Sequence, residues 1–508
     1  MNKIIAILKK YNPSKWEILS FLLIPIFLGL LNSSCTNDDI WFFLSIGKYI
    51  LNNGFFHIDP FTIHEGLNVV VQQWSFDIAI YLINNYTGIV GLYFFTNIMN
   101  ILTIIAIYKL LMLVTDNKRN VSVITTTIIG SLYSIMFLTL RPQIISTPLL
   151  ILELYFLEKY FKTNNKKNLI ALPILSLLMI NTQAAIWPML LCIIIPFILN
   201  TFNFKIGEIE SSKRDIKPLI ITLILMILIA IINPYGIDAL LYLKNSFGIE
   251  AINEVVPEME SVNINLSYGK MVFIIVISIY MAFIIKKDKI QLRYILMLLG
   301  TSYLAFSSNR GILFFIITSI YPIAIYKNNK KNYNKETNNN GILIFAITSI
   351  IIVLLPFTIL VKTKQISIRN NIEEHIDYIY KQEKGNLDNV RLYCPYAVCT
   401  YAEYIGIKPY IDSRAEVFSI KNNKKSDIIN EYYYLQKNQL YYKDFLNKYD
   451  FNYLIVFKTD TLYLQLLHDD NYEIIYKKEK QPSNKLKYKI VKDKFENETC
   501  YVFKKISQ

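Results

Sequence analysis

Apolar residues in this chain come in long, nearly unbroken runs, with polar residues gathered between them. A run that is apolar on every face predicts a helix surrounded by lipid or protein, and a bilayer core about 30 Å thick takes roughly 20 residues of helix. Eleven such spans are predicted, at 17–33, 88–114, 121–140, 143–161, 168–181, 183–200, 217–234, 270–286, 291–307, 310–326 and 341–362. The fifth is short and Asn181-Thr182-Gln183 reads as a tight turn, so 168–200 is either two full spans or a re-entrant pair. After Leu360 the pattern changes. Short β-like runs appear, Tyr453-Leu454-Ile455-Val456-Phe457 and Cys500-Tyr501-Val502-Phe503, with helix-like stretches near 369–382 and 426–449. The predicted fold is a multi-pass α-helical membrane protein of about eleven transmembrane helices, followed by a C-terminal extracytoplasmic α/β domain. Its domains are 1–362, with a large first external loop at 34–87, and 363–508. The Asn-rich stretch 328–340 reads as a flexible cytoplasmic loop.

Composition agrees with that class: 53% of the 508 residues are hydrophobic and the mean hydropathy is +0.33. The net charge of +14, from 53 Lys and Arg against 39 Asp and Glu, would suggest nucleic acid in a soluble protein. Here the basic residues sit in alternate connections: Lys118 and Arg119; Lys162, Lys166 and Lys167; Lys205, Lys213 and Arg214; Lys286, Lys287 and Lys289; Lys327, Lys330, Lys331 and Lys335. The intervening connections hold Asp38, Asp39, Asp59, Glu65, Asp77, Glu250, Glu254, Glu258 and Glu260. The positive-inside rule then puts the amino terminus in the cytoplasm and the last domain outside, and removes the need for a nucleic-acid partner. The first span lacks a small-residue cleavage site and reads as an anchor. Five cysteines without paired CxxC spacing, and four histidines, indicate neither a zinc site nor a disulfide framework. Cys394 and Cys399, with Cys500, are able to pair if their domain lies outside the cell.

The loop 34–87 is too long and too aromatic for a plain connector. Ile40-Trp41-Phe42-Phe43-Leu44 and Ile46 to Leu51 predict a short amphipathic helix lying at the membrane interface with Trp41 at headgroup depth, and Gln72 to Ile78 begins another. Its motifs run Asp39-Ile40-Trp41, Gly47, Gly54, Asp59-Pro60-Phe61-Thr62 and Gln73-Trp74. Further along come Arg141-Pro142-Gln143, Asn181-Thr182-Gln183, Asn233-Pro234-Tyr235-Gly236, Ser308-Asn309-Arg310 and Ile411 to Phe418. In this order they resemble bacterial membrane glycosyltransferases of the C-type (GT-C) fold that use polyprenyl-phosphate sugars, in a poorly characterised D-x-W branch. The branch carries histidine where this chain has Gln183, which cannot titrate, and Gly-Gly-Tyr-Leu where this chain has Tyr401 to Ile405. The resemblance implies that the aspartate after the first helix, Asp39, is the catalytic base, with Asp38 beside it.

Sugar transfer from a lipid phosphate needs a base for the acceptor hydroxyl and cations for the leaving phosphate. Asp39 and Asp38 supply the first. Arg141 and Arg310, at the external ends of spans where positive charge is otherwise avoided, supply the second as donor-phosphate ligands. Trp41, Asp59, Gln73, Trp74, Gln183 and Glu258 are predicted to line the substrate cavity. Plainer readings stand beside these: an N-cap for Asp39, snorkelling for the arginines, surface positions for His57 and His64, and a turn stabilised by Asp412 and Arg414. No cofactor is certain, and a divalent cation held by the aspartates is left open. The expected activity is transfer of a sugar to an envelope glycan, lipid or protein at the outer face of the bacterial cytoplasmic membrane, with membrane lipids as further partners. A transporter or flippase, and a non-catalytic glycan-binding or assembly protein, are the competing classes; Asp39→Asn would silence only the enzyme.

Overall fold

The computed structural model describes residues 13–32, 39–246, 248–256, 258–285, 289–319, 371–396, 398–478 and 499–506. The chain divides into two compact units. The first comprises Met1–Cys35, Thr87–Leu243 and Pro257–Thr363; the second comprises Thr36–Tyr86, Lys244–Val256 and Lys364–Gln508.

The first unit is helical. Helices stand at ten of the eleven predicted spans, from Lys15–Asn32 to Gly311–Thr318, and the eleventh, 341–362, lies outside the described residues. Among the described residues, two helices are long and apolar enough to cross a membrane, Lys15–Asn32 and Trp74–Val114. Others are apolar but shorter: Trp187–Leu199, with 13 residues, rises only about 20 Å. The stretch 168–200 is two helices, Ala171–Thr182 and Trp187–Leu199, joined by the expected turn. Trp187-Pro188 starts the second because proline fits the first helical turn, where its missing N–H costs nothing. Trp74–Val114 is broken at Gly88, whose φ of 64° other residues reach only with strain.

Small residues and hydroxyls let these helices approach closely. Gly130 admits the Pro25 ring: an added Cβ would stand 3.2 Å from it. Thr127 donates to the Phe21 carbonyl at 3.1 Å, and Ser176 to that of Met226 at 2.7 Å. A charged pair is buried among the described helices, with Arg293 Nε and Nη2 each 3.0 Å from a different oxygen of Glu158. A three-stranded sheet, β1 (Lys205–Ile206), β2 (Ile209–Glu210) and β3 (Ile290–Gln291), ties two connections together, β1 antiparallel and β3 parallel to β2.

The second unit is built on a mixed sheet in the order β4-β5-β7-β6, with β4 Leu392–Tyr393, β5 Tyr453–Phe457, β6 Tyr472–Lys478 and β7 Cys500–Lys505. β4 runs parallel to β5, and the other pairs are antiparallel. β5 reads as a continuous apolar run because its side chains are covered on both faces: Tyr453 to Val456 are all inaccessible to solvent. The predicted helical stretch 426–449 is two helices, Ile428–Gln436 and Tyr442–Tyr449, parted where Asn438 takes a φ of 57°. Cys394 and Cys399 form a disulfide with Cα atoms 5.9 Å apart, and Cys500 is free and buried.

Helix Ile40–Asn53 belongs to the core of this unit. Its residues Ile40, Phe42, Phe43, Leu44, Ile46 and Ile50 are buried within the protein. Trp41 packs against aromatic and acidic neighbours of the same unit. Its ring centroid lies 4.9 Å from those of Tyr401 and Tyr404, and its Nε1 donates to Glu373 at 2.7 Å. Gly47 is where the helix meets the start of Trp74–Val114: an added Cβ would collide with the Asp77 carbonyl oxygen.

Candidate active site

In the first unit, Arg141, Glu258 and Arg310 come together. Arg141 precedes helix Gln143–Thr163 and Arg310 precedes Gly311–Thr318, so both guanidinium groups stand at helix starts, where unpaired N–H groups leave partial positive charge. Arg310 donates from Nε at 2.9 Å and Nη2 at 2.8 Å to Oε2 of Glu258, and Arg141 Nη1 pairs with Oε1. Each carboxylate oxygen is therefore held by a different arginine. The segment bearing Glu258 is itself laced to the approach of the second helix: Arg310 N–H donates to the Glu258 carbonyl at 3.3 Å, Asn309 N–H to that of Glu260 at 3.1 Å, and Val262 N–H to that of Phe306 at 3.1 Å. The ion pairs stay reachable from solvent, with side-chain exposures of 23% for Arg141 and 36% for both Glu258 and Arg310. Gln183, elsewhere in this unit, is buried and accepts from Ser146 at 2.7 Å.

In the second unit the loop motif Asp59-Pro60-Phe61-Thr62 meets the segment Asp412-Ser413-Arg414. Arg414 Nη1 donates to Oδ1 of Asp59 at 2.7 Å, while Thr62 Oγ1 donates to Oδ2 at 2.9 Å, satisfying both oxygens. The Phe61 ring lies 5.2 Å from the guanidinium carbon, close enough for a cation–π contact. Arg414 also turns back on Asp412: its backbone N–H donates to Oδ1 at 2.7 Å and its Nε at 3.0 Å, with Nη2 to Oδ2 at 2.5 Å. Glu403 stands 3.8 Å from Arg414 and shares a side-chain hydrogen bond with Asp412. All four groups are buried, so one cation faces three carboxylates.

That imbalance sets their protonation. Burial pushes Glu403 well above the usual carboxylate range, and the neighbouring Asp412 adds to the effect. Burial acts the same way on Asp412, but the Arg414 charge and its hydrogen bonds outweigh it and hold Asp412 below its ordinary value. Arg414 is pushed further up by Asp412, Asp59 and Glu403 against the opposing effect of its burial.

Asp39 occupies the N-cap position of helix Ile40–Asn53, yet its φ of −69° and ψ of −19° are helical and its side chain does not cap. Its charge reaches Tyr396: burial, then Glu416, Asp39 and Asp412, hold that phenol well above its ordinary pKa. The Tyr396 hydroxyl donates to the Ser413 carbonyl at 2.6 Å. Gln73 is buried and Trp74 packs edge-on against Phe55 with centroids 5.2 Å apart. Asp38 lies outside the described residues. Among the described residues no three His, Cys, Asp or Glu side chains form a group ready to hold a metal ion.

Of the predicted residues, then, Arg141, Arg310 and Glu258 form one cluster in the first unit, and Asp59 joins Arg414 in the second. Gln183 joins neither. Glu373 and Glu403 were not anticipated as partners: nothing local in sequence marks a glutamate that will meet Trp41 from 332 positions away.

The fold of the chain is similar to that of solved oligosaccharyltransferase structures. Among these are structures of the oligosaccharyltransferase of Archaeoglobus fulgidus. One, tethered to an acceptor peptide containing the NVT sequon, matches with a TM-score of 0.56 and 12% identity over 87% of this chain and 69% of that one. The apo form gives 0.52 and 11% over 87% and 70%, and the complex with zinc and sulfate gives 0.51 and 12% over 87% and 68%. No family model matches the sequence, and no curated protein does.

Proposed function

We propose that the chain is an inverting glycosyltransferase that moves a sugar from a polyprenyl-phosphate carrier to an envelope glycan, lipid or protein at the outer face of a bacterial cytoplasmic membrane. In this reading about eleven helices cross the bilayer, the amino terminus is cytoplasmic and residues 363–508 are extracytoplasmic. The observation that carries it is the Arg141–Arg310 pair, two guanidinium groups at two helix starts aimed at one carboxylate. Such a pair suits a phosphate, whose oxygens accept charge-assisted hydrogen bonds in the same way.

The chemistry divides between two groups. The acceptor O–H gives its proton to the Asp39 carboxylate as its oxygen attacks the anomeric carbon. The bond from that carbon to the carrier oxygen breaks, its electron pair stays on the phosphate, and Arg141 and Arg310 stabilise the added charge.

The test is transfer by the purified full chain from a panel of radiolabelled polyprenyl-phosphate sugars to envelope extract. Wild type should transfer, Asp39→Asn should lose transfer by about a hundredfold or more while still binding carrier, and Arg310→Ala should lose carrier binding. Equal transfer by wild type and Asp39→Asn would remove Asp39 from the chemistry; folded wild type that transfers from no donor in the panel would count against the enzyme.

A further inference from the structure

We infer that Glu258 is a built-in anion that exchanges with the carrier phosphate on Arg141 and Arg310, and that its return helps expel the spent carrier. The inference rests on the reading that these arginines hold the carrier phosphate. Glu258 already makes the contacts such a ligand would make, one arginine on each oxygen. A phosphate oxygen and Oε1 or Oε2 cannot both occupy the same donor atoms, so binding one displaces the other.

Three features make exchange, rather than permanent pairing, the fitting description. First, more than a third of the Glu258 side chain is exposed, so leaving the arginines returns its carboxylate to water at little desolvation cost. Second, the backbone bonds from Arg310 and Asn309 to the carbonyls of Glu258 and Glu260 do not involve the side chain. The segment stays pinned while the carboxylate swings, which keeps it at high effective concentration beside the arginines. Third, the charge count changes during the reaction. Two arginines and Glu258 sum to +1. The donor is a phosphodiester with one negative charge, whereas the departing carrier is a phosphomonoester with close to two at neutral pH. Two arginines without a competitor would hold the product more tightly than the substrate. Glu258 offers them an alternative anion at the moment the product must leave.

The experiment measures equilibrium binding of farnesyl phosphate, a prenyl phosphomonoester, to the full chain in nanodiscs, for wild type, Glu258→Gln, Glu258→Ala and Arg310→Ala. Steady-state transfer is followed in parallel, and melting temperatures confirm folding. Glutamine keeps the shape of Glu258 and removes its charge, so it should bind farnesyl phosphate about three- to tenfold more tightly than wild type. Alanine should do the same. Both should lower kcat and KM together, because product release slows. Loss of binding in Arg310→Ala with unchanged or weaker binding in both Glu258 variants would overturn the exchange and leave the phosphate role of the arginines standing. Binding that ignores Arg310→Ala would overturn both.

Discussion

The two charge clusters are near opposites. In the first unit two arginines share one carboxylate where water reaches all three; in the second a single arginine is enclosed by three carboxylates. An exposed pair gains little net energy and exchanges partners readily, whereas a buried one is dear to assemble and dearer to break, because removing one partner strands a charge away from water. The same residue types therefore do different work. The first cluster has the stoichiometry and access to bind an anion from outside. The second fastens Asp59 to Arg414, 355 positions apart in sequence, inside one unit.

The largest expected effect tests that difference directly. Arg414→Ala should destabilise the second unit by about 3–5 kcal/mol, since three buried carboxylates lose their cation, while Glu258→Gln should change stability by less than about 1 kcal/mol. Denaturant unfolding of the two variants side by side decides it, and equal costs would end the distinction. Next in size, Arg141→Ala should leave the melting curve nearly unchanged yet weaken carrier-phosphate binding about tenfold. Titration with farnesyl phosphate reads that loss, and a fall in stability without a fall in binding would make the pair merely structural.

A third expectation sharpens the electrostatics of the buried cluster. Glu403 has a folded-state pKa raised above its unfolded value, so its contribution to stability is full below the ordinary glutamate range near 4.5 and is lost as pH rises through the folded value. Asp412, held low by Arg414, contributes in the opposite sense, and that stability is lost as pH falls through its depressed value. Unfolding of the second unit should thus be easier at pH 8 than at pH 5.5, and Glu403→Gln should flatten the difference. A wild-type curve that is flat across this window would show that Glu403 is ionised in the fold. The smallest effect belongs to the exposed pair of Lys505 with Asp450, 2.6 Å apart. Lys505→Ala should cost less than about 1 kcal/mol, and less still in high salt.

Much of the helical order was legible in the chain. Runs of apolar residues mark ten of the helices described, and Asn181-Thr182-Gln183 marks the turn between two of them. Lengths were less legible, because Pro188 and the polar residues at run ends cut helices shorter than hydrophobicity alone suggests. Which protein segments cover helix Ile40–Asn53 was not legible for a related reason. An apolar helix face says that something covers it, but not whether lipid or protein does, and here Trp41 finds Tyr401, Tyr404 and Glu373. Strand β4, two residues long, carries no periodic signal, and its pairing with β5 is decided by the sheet.

By itself the sequence determined where helices form and where the chain turns, because those depend on neighbours within a few positions. Arg141 and Arg310 stand out in it as charges out of keeping with their surroundings. Only the tertiary structure decided that Glu258 lies on the two arginines, that Asp59 is committed to Arg414, and that Asp39 leaves its helix uncapped. Those facts turn on which distant segments close together and how much water they exclude, and the free energy of a charge depends on both.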